Sequence, residues 1–249
     1  MDLRARLCGP EPSDIRDLSW PKDLRLLVIA PHPDDFDAIG VTLRYLWQNG
    51  NPLEIGVVRS GSGVEDTFYP GSTLADKTGL REQEQRRSVR FFGLPDRFLT
   101  FLSLASDSED QPVETSSNRG ALERLVTEKA PDIVFLPHGN DTNSGHRVIH
   151  SLFTQVAQST ARRLVALLNR DPKTKEMRTD LYMSFGREEA DWKAKLLRFH
   201  ESQQQRNLRT RGHGLDERIL RVNRQAARDL SLDQEYAEAF EVEFHEAAA

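Results

Sequence analysis

Two short segments of this sequence concentrate the residue types that bind metals and move protons. The first is Pro31-His32-Pro33-Asp34-Asp35. The second runs from Pro137-His138 through Asn140, Asp141, Asn143 and Gly145 to His146-Arg147, with His150 beyond. Imidazole and carboxylate are both good zinc ligands, and two histidines with one aspartate leave a fourth position open for water, the pattern of a catalytic rather than a structural ion. Neighbouring side chains on an irregular turn point in different directions. One of Asp34 and Asp35 can therefore bind metal while the other faces a substrate, on a turn that the two prolines stiffen. Alone, the first segment also reads as a helix N-terminus, with Asp34 and Asp35 as capping carboxylates and His32 at the surface. The second segment favours the metal reading, because two ligand-rich turns at one edge of a fold can converge on one ion. His146 and His150, at i and i+4 of an expected helix, form a further candidate pair, although His150 reads better as a packing or solvent-facing residue.

Both segments follow expected strands. Leu24–Ala30 is a nearly continuous apolar run that stops at Pro31, as a buried parallel strand does. Asp132–Leu136 is a second such run, ending at Pro137. Between and after them, helices are expected over 37–48, 77–92, 118–129 and from about His146 to Leu168, closed in two cases by Gly50 and Gly93. Further strands are expected at 53–58, 98–102, 181–185 and 239–244, with charged helices over 188–208 and 215–230. Residues 1–22, with Pro10, Pro12 and Pro21, read as an irregular lead-in. The alternation predicts a single domain over 1–249 of the three-layer α/β class, a mostly parallel sheet with helices on both faces, Rossmann-like. Such sheets bind ligands outside the carboxyl ends of their strands. The polar segments 60–76 and 103–117 are expected to be loops beside that edge.

Composition narrows the partners. Lys and Arg number 34 against 39 Asp and Glu, a formal net charge of −5, which argues against a nucleic-acid or anionic-membrane partner. The single cysteine, Cys8, excludes an internal disulfide and suits a reducing compartment. The first twenty residues carry scattered charges and no apolar core of a signal peptide. No stretch approaches the roughly 18 apolar residues of a membrane span. A cytoplasmic location is expected, and a homo-oligomer is compatible with the sequence. Ser60-Gly61-Ser62-Gly63 hints at a phosphate loop but lacks the lysine and the full spacing of one.

The two segments resemble the motifs of the PIG-L or LmbE-like zinc de-N-acetylases. The family's first motif, a strand followed by (A/P)-H-P-D-D-E, stands here as Ala30-Pro31-His32-Pro33-Asp34-Asp35-Phe36, with Ile39-Gly40 beyond. Its second, roughly P-H-x-x-D-x-(H/N)-x-D-H-R, stands as Pro137-His138 through His146-Arg147. Weaker similarities extend from 24 to 244. Arg81-Glu82-Gln83-Glu84 resembles an R-x-x-E helix, Lys195 to Gln203 a K-x-x-x-x-x-H-x-S-Q helix, and Tyr236 to Phe240 a closing A-E-x-F segment. The resemblance implies hydrolysis of the N-acetyl group of an amino-sugar-containing small molecule. It implies zinc held by His32, Asp35 and His146, Asp34 as general base, and Asn143 at the position of a proposed oxyanion donor.

Two positions depart from the family. The acid after Asp-Asp is Phe36 here, and the aspartate before the last zinc histidine is Gly145. The resemblance implies that both acids orient ligands in the family, a part that Asp37 and Asp141 can take over in this chain. The alternative is a degenerate member that binds metal or sugar without catalysis. Arg81, on a helix opening a long polar loop, either reaches a substrate hydroxyl or phosphate or pairs with Glu84 or another acid. His200 and His213 read as solvated-face residues.

Overall fold

The structure, a computed structural model, describes residues 3–7, 9–61 and 63–247. Cys8 and Ser62, on which two of the expectations above fall, lie outside them. The eight strands are β1 (Ser13–Asp14), β2 (Leu26–Ala30), β3 (Leu53–Val57), β4 (Leu99–Phe101), β5 (Ile133–Pro137), β6 (Leu164–Asn169), β7 (Leu181–Phe185) and β8 (Tyr236–His245). They form one sheet in the order β1-β7-β8-β6-β5-β2-β3-β4. All neighbours are parallel except β8, which runs antiparallel between β6 and β7. The helices are α1 (Leu3–Leu7), α2 (Asp35–Ala38), α3 (Gly40–Asn49), α4 (Leu74–Phe92), α5 (Ser116–Lys129), α6 (Ser144–Ser159), α7 (Arg187–Leu197), α8 (Glu201–Arg211) and α9 (Leu215–Asp229).

Both faces of the sheet are covered, as the unbroken apolar run of β2 requires. Leu26, Val28 and Ala30 pack with Leu43, Leu46, Val89, Phe92 and Leu196, from α3, α4 and α7. Leu27 and Ile29, on the other face by the two-residue repeat of a strand, pack with Leu122, Leu125, Ile149 and Phe153, from α5 and α6. This is the expected three-layer, mostly parallel architecture. No described helix is long and apolar enough to cross a membrane.

Three local expectations are corrected. The helix expected to run to Leu168 ends at Ser159, and Leu164–Asn169 is the fully buried strand β6. Arg162 and Arg163 break the helical apolar repeat, and the LVALLN run after them buries every residue, which only an inner strand needs. The lead-in contains α1 and the two-residue strand β1, which pairs with β7. The charged helix expected over 188–208 is two helices, α7 and α8, with His200 at the junction. His200 is fully buried and not on a solvated face, its Nε2 lying 2.6 Å from Asp37 Oδ2.

That junction belongs to a buried polar network that fixes the C-terminal helices against the first ligand turn. Ser202, at the start of α8, donates its backbone and hydroxyl hydrogens to Glu84 of α4 at 2.7 and 2.8 Å. Glu238 of β8 accepts from the Val41 and Thr42 amides at the start of α3, and Lys193 Nζ donates to it at 2.7 Å. The weak similarities at Glu84, His200, Ser202 and Glu238 thus mark structural ties.

Candidate metal centre

β2, β5 and β6 are parallel neighbours, so the turns after Ala30, Pro137 and Asn169 emerge at the same edge. They bring His32 and Asp35, then Asp141 and His146, then Asp171 to one place. His32, Asp35 and His146 each offer a ligand atom within 4.8 Å of the others. Asp35 divides its two oxygens between the histidines. Oδ2 accepts from the His32 backbone at 2.7 Å and lies 3.4 Å from His32 Nδ1, while Oδ1 lies 3.6 Å from His146 Nε2. The histidine rings stand 5.6 Å apart. Two imidazoles and a carboxylate at these separations fit a divalent cation of zinc type. His146 and His32 are buried, and Asp35 nearly so.

His146 is oriented from behind. Its Nδ1 is 3.2 Å from Asp141 Oδ2 and 4.0 Å from Asp171 Oδ1, so Nε2 is the nitrogen presented to Asp35. Asp141 is itself held, accepting from the Asn143 backbone at 2.6 Å and lying 3.4 Å from the Thr174 hydroxyl. A carboxylate behind the ligating imidazole fixes its tautomer and raises its basicity. Asp141 thus supplies a carboxylate behind His146 although position 145 is glycine. Gly145 has its own reason. A Cβ there would stand 3.1 and 3.2 Å from His32 Cε1 and Nε2, and 2.9 Å from Gln111 Oε1. Phe36 is fully buried and meets Phe92 edge-on at 5.0 Å, so that position serves the core. Asp37 lies 2.6 Å from His200 Nε2 and accepts from Gln85 Nε2 at 3.1 Å, and Gln85 Oε1 in turn accepts from the Asp34 amide.

The electrostatics express the crowding of these groups. Burial acts to raise the Asp35 carboxyl, but the charges and hydrogen bonds of His146 and His32 hold it far below the usual carboxylate range. Burial acts to lower His146, yet Asp35, Asp141 and Asp171 together raise it to about 10. Burial pushes Asp171 up, with Asp35 and Asp141 adding to the effect and His146 opposing it. Such a site strongly attracts positive charge.

Asp34 stands apart from the three. It is the residue before α2, with a left-handed φ of 100° and no capping hydrogen bond from its side chain. The helix-cap reading of this aspartate is thus not what the structure shows. Arg81 Nη2 lies 2.7 Å from Asp34 Oδ1 and also donates to the Pro33 carbonyl, while Gln85 Oε1 accepts from the Asp34 amide at 3.1 Å. Arg81 is 2% exposed; the acid it pairs with is Asp34, not Glu84. Asn143 caps α6, its Oδ1 accepting from the Gly145 amide at 3.0 Å, which leaves Nδ2 as a donor without a partner among the described residues. His138 and His150 lie away from the centre, beside Glu241 and Glu243 at 3.3 and 3.6 Å.

His32, Asp34, Asp35, Arg81, Asn143 and His146 border a cavity of about 380 Å³, which Asp171, Lys173, Arg206 and Arg218 also line. Sequence reasoning missed Asp171 and these basic residues. Asp171 had a signal, a carboxylate two residues past a strand next to β5, but that strand was read as helix. Arg206 and Arg218 had none, since the segments expected as helices, 188–208 and 215–230, are charged throughout.

The comparisons with known proteins bear on this geometry. The model of the PIG-L family, GlcNAc-PI de-N-acetylase, matches residues 27–157, which contain His32, Asp34, Asp35, Asn143 and His146. Among curated proteins no relative matches the chain. The fold is similar to that of the N,N'-diacetylchitobiose deacetylase from Pyrococcus horikoshii, at 17% identity and TM-score 0.73 over 88% of this chain and 83% of that one. It is similar to a deacetylase of the teicoplanin biosynthesis pathway, at 15% identity and TM-score 0.66 over 88% and 98%. It is also similar to GalB, the 4-carboxy-2-hydroxymuconate hydratase from Pseudomonas putida, at 17% identity and TM-score 0.68 over 91% and 98%.

Proposed function

Because the chain belongs to the PIG-L family, GlcNAc-PI de-N-acetylase, we propose that it is a metal-dependent de-N-acetylase acting on an N-acetylated amino sugar or a conjugate of one. The hydratase relative means that the fold by itself does not select the reaction. The observation that carries the reading is the division of labour on the first turn. Asp35 joins His32 and His146, while the adjacent Asp34 is turned away from them and held by Arg81 at the cavity wall.

Zinc is the ion proposed, and when bound it supplies Lewis acidity toward the amide carbonyl and toward water. His32, Asp35 and His146 would hold it, with Asp141 and Asp171 keeping the His146 ring in place. Asp34 takes the proton of the attacking water and passes it to the departing amine. Its left-handed backbone and the Arg81 pair fix where the carboxylate stands during both transfers. Asn143 Nδ2 donates a hydrogen bond to the oxyanion that forms as water attacks. Capping by Oδ1 fixes which end of the amide is free, so the donor is preorganised. Arg81, in this reading, acts through Asp34 and borders the substrate.

The products are acetate and a free amine. We read the chain as one catalytic domain in a cytoplasmic setting. A non-catalytic role loses its motive, since Asp141 stands behind His146 and Phe36 packs in the core. The test is acetate release from N-acetylglucosamine-containing substrates by zinc-loaded protein, with Asp34→Asn as the paired variant. Release by the wild type and its loss in a variant that still binds zinc support the reading. Equal release by both refutes Asp34 as base.

A further inference from the structure

Three cationic side chains face the cavity beyond the metal centre: Lys173 from the loop after β6, Arg206 from α8 and Arg218 from α9. None of them makes a side-chain hydrogen bond or ion pair with a described residue. The same two helices do pair arginines that lie elsewhere. Arg209 holds Glu65, and Arg221 and Arg224 hold Glu217 and Glu235. The acids of the cavity are largely engaged: Asp34 with Arg81, and Asp35 and Asp171 with His146. Glu109, exposed on the loop after β4, is the remaining carboxylate of the lining.

Arg218 is only partly exposed. Burial depresses its guanidinium; Asp171 and Asp34 favour the charged form, while Arg211 and Arg206 oppose it. It lines the same cavity as Asp34, Asp171 and Arg206. Arg206, exposed, and Arg218, half-buried, line the same cavity, and neither has an acid as a hydrogen-bond or ion-pair partner among the described residues, so both are open to a ligand oxyanion. Arginine also matches carboxylate and phosphate oxygens through paired N–H donors, which a neutral sugar does not require.

We propose that Arg206 and Arg218, with Lys173 beside them, form an oxyanion subsite, and that the amide substrate carries a phosphate or carboxylate group bound there. The substrate class rests on the de-N-acetylase reading above; the subsite does not. It places the anionic group at the wall that α8 and α9 give the cavity, with the acetamide at the centre.

The test is calorimetric binding to zinc-loaded protein carrying Asp34→Asn. Three ligands are compared: N-acetylglucosamine 6-phosphate, N-acetylmuramic acid and neutral N-acetylglucosamine. At least one charged ligand is expected to bind tenfold or more tightly than the neutral sugar, with the advantage shrinking as salt rises. Which of the two does so separates phosphate from carboxylate. The combined Arg206→Gln and Arg218→Gln change is expected to abolish the advantage, whereas lysine at both positions retains part of it. Arg209→Gln, which removes an equal charge outside the cavity, is expected to leave it intact. Equal affinity for all three ligands overturns the proposal. So does a preference that survives the double glutamine variant, since that would place the anion on the metal. Acetate release by the wild type is scored separately. An Arg-dependent preference without acetate release keeps the subsite and removes the hydrolase reading; equal release and equal binding for all three ligands do the reverse.

Discussion

Asp34 and Arg81 form a shielded ion pair, 2.7 Å between Oδ1 and Nη2, at a residue whose backbone has a left-handed φ of 100°. Aspartate and asparagine visit that region more readily than other side chains, which pay about 1–2 kcal/mol there. The pair and the Gln85 contact with the Asp34 amide hold the turn there. Arg81→Met is expected to destabilise the fold by about 2–3 kcal/mol. That is less than the figure for breaking a fully buried pair, because the Asp34 side chain keeps 19% exposure. Asp34→Asn keeps a side chain that tolerates the left-handed region and removes only the charge. It keeps the turn but leaves the guanidinium of Arg81, whose side chain is 3% exposed, without the counter-charge of Asp34. Its denaturation midpoint should therefore fall about as far as that of Arg81→Met, while acetate release falls by about 10²–10⁴-fold, the range for losing a positioned proton acceptor.

Asp141 touches His146 from the side opposite Asp35. Removing its charge with Asp141→Asn is expected to weaken zinc affinity by about 10–100-fold, measured by competition with a chelator. A change in unfolding alone, with zinc affinity unmoved, would assign Asp141 to the fold and not to the centre.

Gly145 separates stability from metal binding. Alanine has the better helix propensity, by up to about 1 kcal/mol in a helix interior, so Gly145→Ala should leave the melting temperature unchanged or slightly raised. Its Cβ would stand close to the His32 ring, which must shift by a few tenths of an ångström. Zinc affinity is therefore expected to fall while the fold holds, and the two readouts taken on one sample check it.

Much of this site was legible because its chemistry is local in sequence. His32, Asp34 and Asp35 occupy one turn, and the end of an apolar run at Pro31 placed that turn at a strand's carboxyl edge. The second turn was legible for the same reason after Pro137. What was not legible depended on contacts distant in sequence. Arg81 reaches Asp34 across 47 residues, and His200 reaches Asp37 across 163; no spacing rule predicts either. Phe36 reads as a lost acid until the structure shows it against Phe92. β6 was missed because its apolar run is as compatible with a buried helix as with a strand, and the preceding helix seemed to continue into it.

Away from the centre, Glu243 lies 3.6 Å from His150 Nε2 and 3.5 Å from His245 Nε2. These imidazoles hold its carboxyl well below the ordinary glutamate range. A group whose folded value is depressed contributes stability above its unfolded value, near 4.5, and loses it as pH falls toward the folded value. Glu243→Gln is expected to flatten the acid limb of the stability profile below pH 4.5, approaching one fewer proton taken up on unfolding. Denaturant titrations between about pH 3 and 6 measure that slope, and an identical slope in the variant would remove the His150–Glu243–His245 cluster as its source.

The central claim is that His32, Asp35 and His146 hold one divalent ion that the chemistry requires. Its most direct measurement is zinc content, by elemental analysis, together with acetate release, on the same preparations of wild type and of His32→Ala, Asp35→Ala and His146→Ala. The account predicts one zinc per wild-type chain, acetate release that a chelator abolishes and added zinc restores, and loss of both in all three variants. A full complement of zinc in those variants, or acetate release that survives complete removal of metal from the wild type, would contradict it.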